Sequence, residues 1–292
     1  MEQTKAGFVA LVGRPNAGKS TLLNWLLGEK IAIVSHKANA TRKRINGIVM
    51  YQNHQIILVD TPGLHERERL LNQFMLEEAL KAIGDCDLII FLAPVYDKLD
   101  NYEKFLQLSN RPHILALTKI DEVESGKVLE KIAEYQKYSD RFLELIPISA
   151  RKGVNRDALL SSIVKYLPDS PYLYDPEELT TEYIRDIYRE FIREAIFEET
   201  SGEIPYESDV VIDKIEEGGE IEKIYGTIIV EKRSQKIVIV GEKGRTIKRI
   251  GKSARKKIEK FIERQVYLEL FVSVKKGWSK HKKSLEEIGY IF

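Results

Sequence analysis

The sequence predicts an α/β domain, with a mostly parallel sheet and helices on both faces, followed by a smaller α+β domain. Over the first 167 residues, short apolar runs alternate with helix-like stretches, which is typical of a parallel sheet. A segment with three prolines follows at 167–176. After it, the predicted order changes to helix, strand, strand, strand, helix, strand. A length of 292 residues suits two domains.

Each element follows from a local pattern. In the first domain, strands are predicted at 8–12, 56–59, 88–92, 113–117 and 145–148, and helices at 21–27, 70–83, 102–108, 123–138 and 156–167. In the second, apolar residues at helical spacing predict a helix at 181–199. Strands at 209–215 and 223–231 follow, then a strand leading into Gly241, a basic helix at 245–263 and a strand at 266–274. The prolines indicate a linker, so we divide the chain into 1–170, 171–180 and 181–292.

The composition narrows the class of protein. Hydrophobic residues make up 43% and charged residues 31%, as in soluble globular proteins. The longest apolar run, 88–95, is too short to cross a bilayer, and we expect no secretory signal. The single cysteine, Cys86, excludes an intramolecular disulfide and is expected to pack beside a strand.

The formal net charge of +1 conceals a strong asymmetry. Residues 181–220 contain 4 basic and 13 acidic side chains, whereas 221–292 contain 19 basic and 8 acidic. Eleven of those basic residues lie within 232–257, around the glycine pair Gly241 and Gly244. A run of charged residues usually forms only a solvent-exposed surface. This cluster, however, surrounds a glycine loop, which favours nucleic acid as the partner.

The segment GRPNAGKS, at 13–20, has the spacing of a P loop. It follows one predicted strand and opens a predicted helix, which is the context that the motif requires. Its glycines allow backbone N–H groups to face a phosphate at a helix N-terminus. Lys19 is expected to reach the β- and γ-phosphates, and the Ser20 hydroxyl to bind Mg²⁺.

Three more stretches at strand ends favour GTP over ATP. In DTPG, Asp60 is expected to hold Mg²⁺ through water, and the N–H of Gly63 to bond the γ-phosphate. In TKID, Asp121 can accept hydrogen bonds from guanine N1–H and N2–H₂, a pair of donors that adenine lacks. In ISA, a backbone N–H can donate to guanine O6. The carboxyl ends of parallel strands are where such sheets bind ligands.

These motifs, together with Thr41 in NATRKR, resemble a small-GTPase domain in their order and spacing. The resemblance implies a P-loop GTPase whose metal ligands are Ser20, Thr41 and Asp60. It implies a nucleotide site formed by Gly13, Arg14, Pro15, Asn16, Ala17, Gly18, Lys19, Ser20, Thr21, Asp60, Thr61, Pro62, Gly63, Leu64, Thr118, Lys119, Ile120, Asp121, Ser149 and Ala150. One departure is Thr118, where the family usually has asparagine. We expect guanine selectivity to survive through Asp121, with weaker nucleotide affinity.

The catalytic groups implied by this resemblance are Lys19, Thr41, Gly63 and Asn16. Leu64 stands where Ras-type GTPases have a glutamine that orients the attacking water, so unaided hydrolysis should be slow. The neighbouring His65 is a lesser candidate. In similar cation-activated GTPases, the residue at the position of Asn16 holds K⁺ against the phosphates; the alternative is that Asn16 only forms the turn.

The second glycine loop, Gly241 to Gly244, cannot be another P loop because it lacks the four-residue spacer. A G-x-x-G loop before a basic helix in a small α+β domain resembles the KH fold. The resemblance implies that the loop clamps a single-stranded backbone. The proposed RNA-binding residues are Gly241, Glu242, Lys243, Gly244, Arg245, Ile247, Lys248, Arg249 and Trp278. Ile247 could instead belong to the core, as could Ile250, and Trp278 could instead pack within the domain.

A GTPase domain joined by a short linker to a KH-type domain resembles the Era GTPase family over residues 5–285. This resemblance implies a monomer that binds GTP and GDP with Mg²⁺, and K⁺ as a second cation. It also implies binding to the single-stranded 3′ end of small-subunit rRNA, a role in small ribosomal subunit assembly, and a cytoplasmic location with peripheral membrane association at the inner face.

A second class of function stays open. The basic domain could belong to a GTP-gated regulator that binds anionic lipid or an acidic protein. The G-x-x-G loop argues against it, because lipid headgroups require charge but not that loop. An ATP-dependent kinase or ATPase is disfavoured by Asp121 and the SA loop.

Overall fold

The fold is that of a computed structural model, which describes residues 4–35, 37, 40–63 and 70–290. Contacts divide the chain into two compact units. The first comprises described residues of Met1–Ala32, Thr41–His65 and Met75–Thr181, and the second comprises those of Ile33–Ala40, Glu66–Phe74 and Glu182–Phe292. The second unit therefore includes two short segments from the N-terminal part of the chain, which the sequence did not indicate.

A six-stranded sheet lies at the centre of the first unit. Its strands are β1 (Ala6–Val12), β2 (Ile45–Tyr51), β3 (His54–Asp60), β4 (Leu88–Pro94), β5 (His113–Thr118) and β6 (Leu145–Pro147). Their spatial order is β2-β3-β1-β4-β5-β6. The edge strand β2 runs antiparallel to β3, and the other pairs are parallel. The five predicted strands and the mostly parallel sheet are confirmed, and β2 is a strand that the sequence analysis missed.

Five helices follow the predicted pattern along this part of the chain. They are α1 (Lys19–Leu27), α2 (Leu70–Asp85), α3 (Asp100–Leu108), α4 (Ser125–Tyr135) and α5 (Arg156–Tyr166). Apolar strand residues such as Val12, Phe91 and Leu115 form one buried core cluster. Because β1, β3, β5 and β6 run in the same direction, the loops that follow them open at one edge of the sheet.

The proline-rich segment is attached to β2 and β3 rather than extending freely from the sheet. Thr180 forms an antiparallel bridge with Gly47 of β2. The side-chain oxygen of Gln55 accepts hydrogen bonds from the N–H groups of Leu173 and Tyr174 at 2.7 and 3.0 Å. An uncovered edge strand can pair with other chains, and this segment shields part of β2.

The second unit contains the α-β-β-α-α-β order of a KH domain. Its elements are α6 (Ile184–Glu199), β7 (Ser208–Glu216), β8 (Glu222–Val230), α7 (Arg233–Val240), α8 (Arg245–Ile262), β9 (Val266–Val274) and α9 (Lys282–Glu287). The sheet order is β7-β8-β9, with β7–β8 antiparallel and β8–β9 parallel. Phe191, Ile228 and Ile258 join helices and sheet in one buried cluster. Within the described ranges, no helix is both long and apolar enough to span a membrane.

The predicted strand leading into Gly241 is wrong, because this stretch forms helix α7. Its run of β-branched residues resembles a strand. The side chain of Gln235, however, accepts hydrogen bonds from the N–H groups of Glu231 and Lys232 at 3.0 and 2.9 Å, which stabilises a helix start. Ile239 packs into the core.

Candidate nucleotide and RNA sites

The P loop at 13–20 connects β1 to α1 through a tight curl. Gly18 has a φ of 105° and Asn16 a φ of 62°, both in the left-handed region. A Cβ on Gly13 would lie 2.9 Å from the carbonyl oxygen of Leu92. The backbone therefore depends on glycine in the way that a phosphate-binding loop requires.

Lys19 is buried beneath the loop. Its Nζ donates to the carbonyl oxygens of Gly13 and Arg14 at 3.2 and 3.1 Å. Burial lowers the pKa of Lys19 to about 8; the Asp60 carboxylate acts in the opposite direction and Arg14 lowers the pKa further. A cation in a dry site interacts strongly with an incoming phosphate, as the role predicted for Lys19 requires.

Three side-chain oxygens meet beside the P loop. Ser20 Oγ donates to Asp60 Oδ2 at 2.6 Å and lies 2.9 Å from Thr41 Oγ1. Thr41 Oγ1 also donates to Asp60 Oδ2, at 3.3 Å. One carboxylate and two hydroxyls are hard oxygen donors of the kind that Mg²⁺ prefers. The three residues predicted as metal ligands are thus brought together and fit this ion.

The DTPG loop lies directly against the P loop. Thr61 Oγ1 donates to the carbonyl oxygen of Leu11 in β1 at 2.7 Å. A Cβ on Gly63 would lie 2.6 Å from the backbone nitrogen of Pro15, so a larger residue would force the two loops apart. Glycine at position 63 therefore allows the DTPG loop to pack closely against the P loop.

The groups predicted to influence the rate of hydrolysis lie only partly within the described residues. Asn16 is exposed on the P loop, where solvent cations have access to it. Leu64 and His65 lie outside the described residues, and their roles stay predictions.

The two loops that are expected to recognise the base are joined to each other and to the P loop. Thr118 Oγ1 donates to the carbonyl oxygen of Ala17 at 3.0 Å. Ser149 Oγ donates to Asp121 Oδ1 at 2.6 Å, and Ser149 is fully buried. Lys119, which lies between Thr118 and Asp121 in the sequence, has a φ of 60°. The hydroxyl of Ser149 orients the carboxylate that is expected to accept the guanine hydrogen bonds.

Two interactions at this edge were not predicted. The Nε and Nη2 atoms of Arg14 donate to the carboxylate of Asp97 at 2.5 and 2.6 Å, and this hydrogen bonding raises the pKa of Arg14. Lys119 Nζ donates to the hydroxyl of Tyr96 at 2.6 Å. The loop after β4 therefore supports both the phosphate loop and the base loop. The partners are distant in sequence, so no local pattern reveals them.

The G-x-x-G loop joins helix α7 to helix α8. Gly241 has a φ of 70° and a ψ of 174°, and an added Cβ would lie 2.3 Å from Thr246 Oγ1. Lys243 and Gly244 also have positive φ angles, of 50° and 76°. At Gly244 an added Cβ would meet no atom of the described chain within 4 Å. Gly241 therefore maintains the loop itself, whereas Gly244 presents an open backbone surface.

Cationic side chains surround this open surface. Lys243, Arg245, Lys248 and Arg249 are all exposed. Arg249 also contacts Glu199 at 3.0 Å. The loop and helix α8 thus offer a cationic surface with little covering structure, which suits a phosphodiester backbone.

The acidic helix α6 neutralises a different face of α8. Lys257 Nζ contacts carboxylates of Glu194 and Glu198 at 3.3 and 2.5 Å. Ser253 Oγ donates to Glu198 at 2.7 Å. The strong charge asymmetry of the sequence therefore has two components, a paired face toward α6 and an exposed face near the glycine loop.

Apolar side chains near the loop divide between core and surface. Ile250 is fully buried and belongs to the core, while Ile247 is half-buried. Ile237 and Val238 of α7 are 66% and 51% exposed. These two side chains are exposed because the stretch forms a helix and not the predicted strand, and they add apolar surface to α7.

The prediction that Trp278 stacks on RNA is corrected by its burial. Its side chain is 0% exposed, and its Nε1–H donates to the carbonyl oxygen of Glu207 at 3.3 Å. A buried indole that satisfies its N–H within the unit serves packing. The alternative interpretation of Trp278 is the correct one.

The described residues of Ile33–Ala40 pack against α6 within the second unit. Arg193 Nη2 donates to the carbonyl oxygen of Ala40 at 2.9 Å. Glu194 Oε1 accepts a hydrogen bond from the N–H of Val34 at 3.1 Å. Arg193 and Glu194 are both buried, so part of the charge of α6 is structural.

Comparisons with known proteins agree with the two domains. The model of the family described as 50S ribosome-binding GTPase matches residues 8–119, and that of the KH domain matches residues 192–279. GTPase Era of Helicobacter pylori (strain G27) is 55% identical over 294 residues, covering 99% of this chain and 98% of that protein. GTPase Era of Campylobacter concisus (strain 13826) is 54% identical over 288 residues, covering 98% and 100%.

Solved structures give the same result. A variant of Aquifex aeolicus Era bound to GDP and AlF₄⁻ is similar with a TM-score of 0.94 and 37% identity, covering 99% of this chain and 100% of that chain. A structure of Era in complex with MgGDPNP and nucleotides 1506–1542 of 16S ribosomal RNA is similar with a TM-score of 0.93 and 37% identity, covering 99% and 100%.

A P-loop GTPase followed by a KH domain is therefore the class to which this chain belongs. Relatives that are more than half identical over nearly the whole length also determine the family. The chain belongs to the GTPase Era family, and the resemblance drawn from the motifs is confirmed.

Proposed function

We propose that this chain binds and hydrolyses GTP, and that it binds the 3′ end region of small-subunit rRNA during assembly of the small ribosomal subunit. The observation that carries the proposal is the presence of two differently built glycine loops in one chain. The P loop has a buried lysine beneath it, whereas the loop at Gly241 to Gly244 is open and bordered by exposed cations.

The nucleotide proposed for the P loop is GTP or GDP. Asp121 offers a carboxylate to guanine N1–H and N2–H₂, and its bond from Ser149 at 2.6 Å holds that carboxylate in place. Adenine has no matching pair of donors. The base preference is therefore assigned to Asp121, with Ser149 and Ala150 at the O6 edge.

Hydrolysis is proposed to use Mg²⁺ and to be stimulated by K⁺. Ser20, Thr41 and Asp60 would hold Mg²⁺, which supplies charge neutralisation at the phosphates. Lys19 binds the β- and γ-phosphates, and the Gly63 N–H orients the γ-phosphate. Asn16 is the proposed K⁺ ligand at the exposed rim of the P loop, where positive charge would stabilise the transition state.

The KH-type domain, with proposed bounds 181–292 after a GTP-binding domain at 1–170 and a linker at 171–180, is assigned the RNA. Gly244 allows close approach of a backbone phosphate, while Lys243 and Lys248 supply charge. The support from relatives is an Era structure that holds nucleotides 1506–1542 of 16S ribosomal RNA.

The proposal extends to a monomer that acts in the cytoplasm, with peripheral association at the inner face of the cell membrane. A competing function is a GTP-gated regulator that binds anionic lipid through the same cationic surface. The two differ in what they require of Gly244, because a lipid headgroup needs charge without close approach to the backbone.

The test combines GTP hydrolysis with RNA binding. Filter-binding titrations would compare a 3′-terminal small-subunit rRNA fragment with a scrambled RNA of equal length, beside flotation with vesicles that contain anionic lipid. Preferential binding of the rRNA fragment, together with Mg²⁺-dependent GTP hydrolysis, is expected. Equal binding of both RNAs with strong vesicle flotation would favour the membrane regulator.

A further inference from the structure

Thr118 stands where the resemblance to small GTPases implies an asparagine, and its hydroxyl already has a partner. Thr118 Oγ1 donates to the carbonyl oxygen of Ala17 at 3.0 Å. The residue is 5% exposed, so the bond lies in a protected site.

The difference between the two side chains lies in their number of donors. A threonine hydroxyl has one hydrogen to donate, whereas an asparagine amide has two and an acceptor oxygen. Guanine N7 only accepts hydrogen bonds. An asparagine can therefore support the P loop and also donate to N7, whereas the single hydrogen of Thr118 is committed to Ala17.

The bond to Ala17 acts on the phosphate loop through the next peptide group. The carbonyl of Ala17 and the N–H of Gly18 belong to one planar unit and, in a trans peptide, point in opposite directions. Fixing the carbonyl of Ala17 against β5 therefore fixes the direction of the Gly18 N–H, one of the groups available to the phosphates.

We propose that Thr118 is a positioning residue for the P loop and that it leaves guanine N7 without a hydrogen bond from this position. Base selection then depends on Asp121 and the SA loop. The inference rests on the proposed binding of guanine nucleotides. It adds that the side chain of Thr118 does not recognise the N7 edge of the base.

The test compares GDP with 7-deaza-GDP, in which N7 is replaced by a C–H group. Wild-type protein is expected to bind the two within about twofold of each other. Thr118→Asn is expected to prefer GDP by about fivefold, because a new neutral hydrogen bond contributes on the order of 1 kcal/mol. Thr118→Val, which keeps the shape but has no donor, should weaken both nucleotides by a similar factor of about tenfold. Thr118→Ser, which keeps the hydroxyl donor, should bind both nucleotides with the wild-type affinity.

Each component has an outcome that would overturn it. Wild-type protein that binds 7-deaza-GDP about tenfold more weakly than GDP would show that N7 is recognised. A Thr118→Val variant with wild-type GDP affinity would show that the bond to Ala17 does not position the loop, and an asparagine variant without a GDP preference would show that this side chain does not decide recognition of N7. ATP is titrated in parallel: equal binding of ATP and GTP would instead contradict the proposed function.

Discussion

Replacing Gly244 with aspartate should separate RNA binding from GTP hydrolysis. Gly244 has a φ of 76° and a ψ of 16°, and a Cβ there would meet no atom within 4 Å in the described part of the chain. The folding cost is therefore the left-handed backbone of a non-glycine residue, about 1 kcal/mol. Aspartate tolerates this region better than most residues, so the second unit should remain folded.

The effect on RNA should exceed this backbone cost. The new side chain would occupy the open surface that a phosphate must approach, and its charge would repel the phosphate. Lys243 and Arg245, which flank the position, would be partly neutralised. We expect the affinity for a single-stranded rRNA fragment to fall by at least tenfold, about 1.4 kcal/mol.

Gly202→Asp provides a matched control. Gly202 has a φ of 63°, and a Cβ there would also meet no atom within 4 Å among the described residues. It lies in the second unit but outside the G-x-x-G loop, so it has a similar backbone cost and the same change of charge. Filter binding at several salt concentrations, beside a GTPase assay, measures both activities.

GTP hydrolysis without RNA should be near wild type for both variants, since Lys19 lies in the first unit. Wild-type RNA affinity in a folded Gly244→Asp protein would mean that the loop is only a turn. An equal loss in Gly202→Asp would mean that net charge, and not the loop, determines binding.

Three further predictions concern the first unit. Asp121→Asn should shift base preference from guanine toward xanthine, because the amide donates where the carboxylate accepted; competition among nucleoside triphosphates measures this, and unchanged preference for GTP would place Asp121 outside the base site. K⁺ should raise the hydrolysis rate above that in Na⁺, and Asn16→Ala should remove the difference with GDP binding largely intact, whereas equal rates in both salts would reject the cation. Lys19 has a lowered pKa of about 8, and bound phosphate favours its charged form, so binding takes up a proton above that pH. GDP affinity should therefore fall by about tenfold between about pH 7 and about pH 9, and a flat profile in calorimetric titrations would contradict the buried, titrating lysine.

The sequence predicted those parts of the fold whose signals are local. The P loop, the strand ends at Asp60 and Asp121, and the helix beginning at Arg245 each follow from a short pattern of residues. The antiparallel strand β2 was missed because Asn46 and Gly47, residue types that are uncommon in strands, interrupt the apolar residues of INGIVMY. Its position depends on pairing with β3, which no local pattern encodes.

The errors in the second unit have a common cause. The β-branched run before Gly241 favours a strand locally, but the capping bonds of Gln235 and the burial of Ile239 stabilise a helix. Trp278 lies among lysines in the sequence and is nevertheless fully buried. The burial of Ile239 and of Trp278 thus outweighs what the neighbouring residues in the sequence favour.

Long-range polar contacts were also beyond prediction. The pairing of Arg14 with Asp97 joins residues 83 positions apart, and the bond from Arg193 to Ala40 spans 153 positions. The residue types in the sequence do not reveal which of these distant residues form a pair. The ligand classes could be predicted because glycine loops and carboxylates at strand ends carry their chemistry in short motifs.

The central claim is that the G-x-x-G loop at Gly241 to Gly244 binds the 3′ end region of small-subunit rRNA. Crosslinking of wild-type and Gly244→Asp protein to total cellular RNA, followed by sequencing of the bound fragments, tests it most directly. We predict that wild-type fragments concentrate at the 3′ end of small-subunit rRNA and that the variant loses this peak. Fragments spread over unrelated RNAs, or a peak that persists in a folded variant, would contradict the claim.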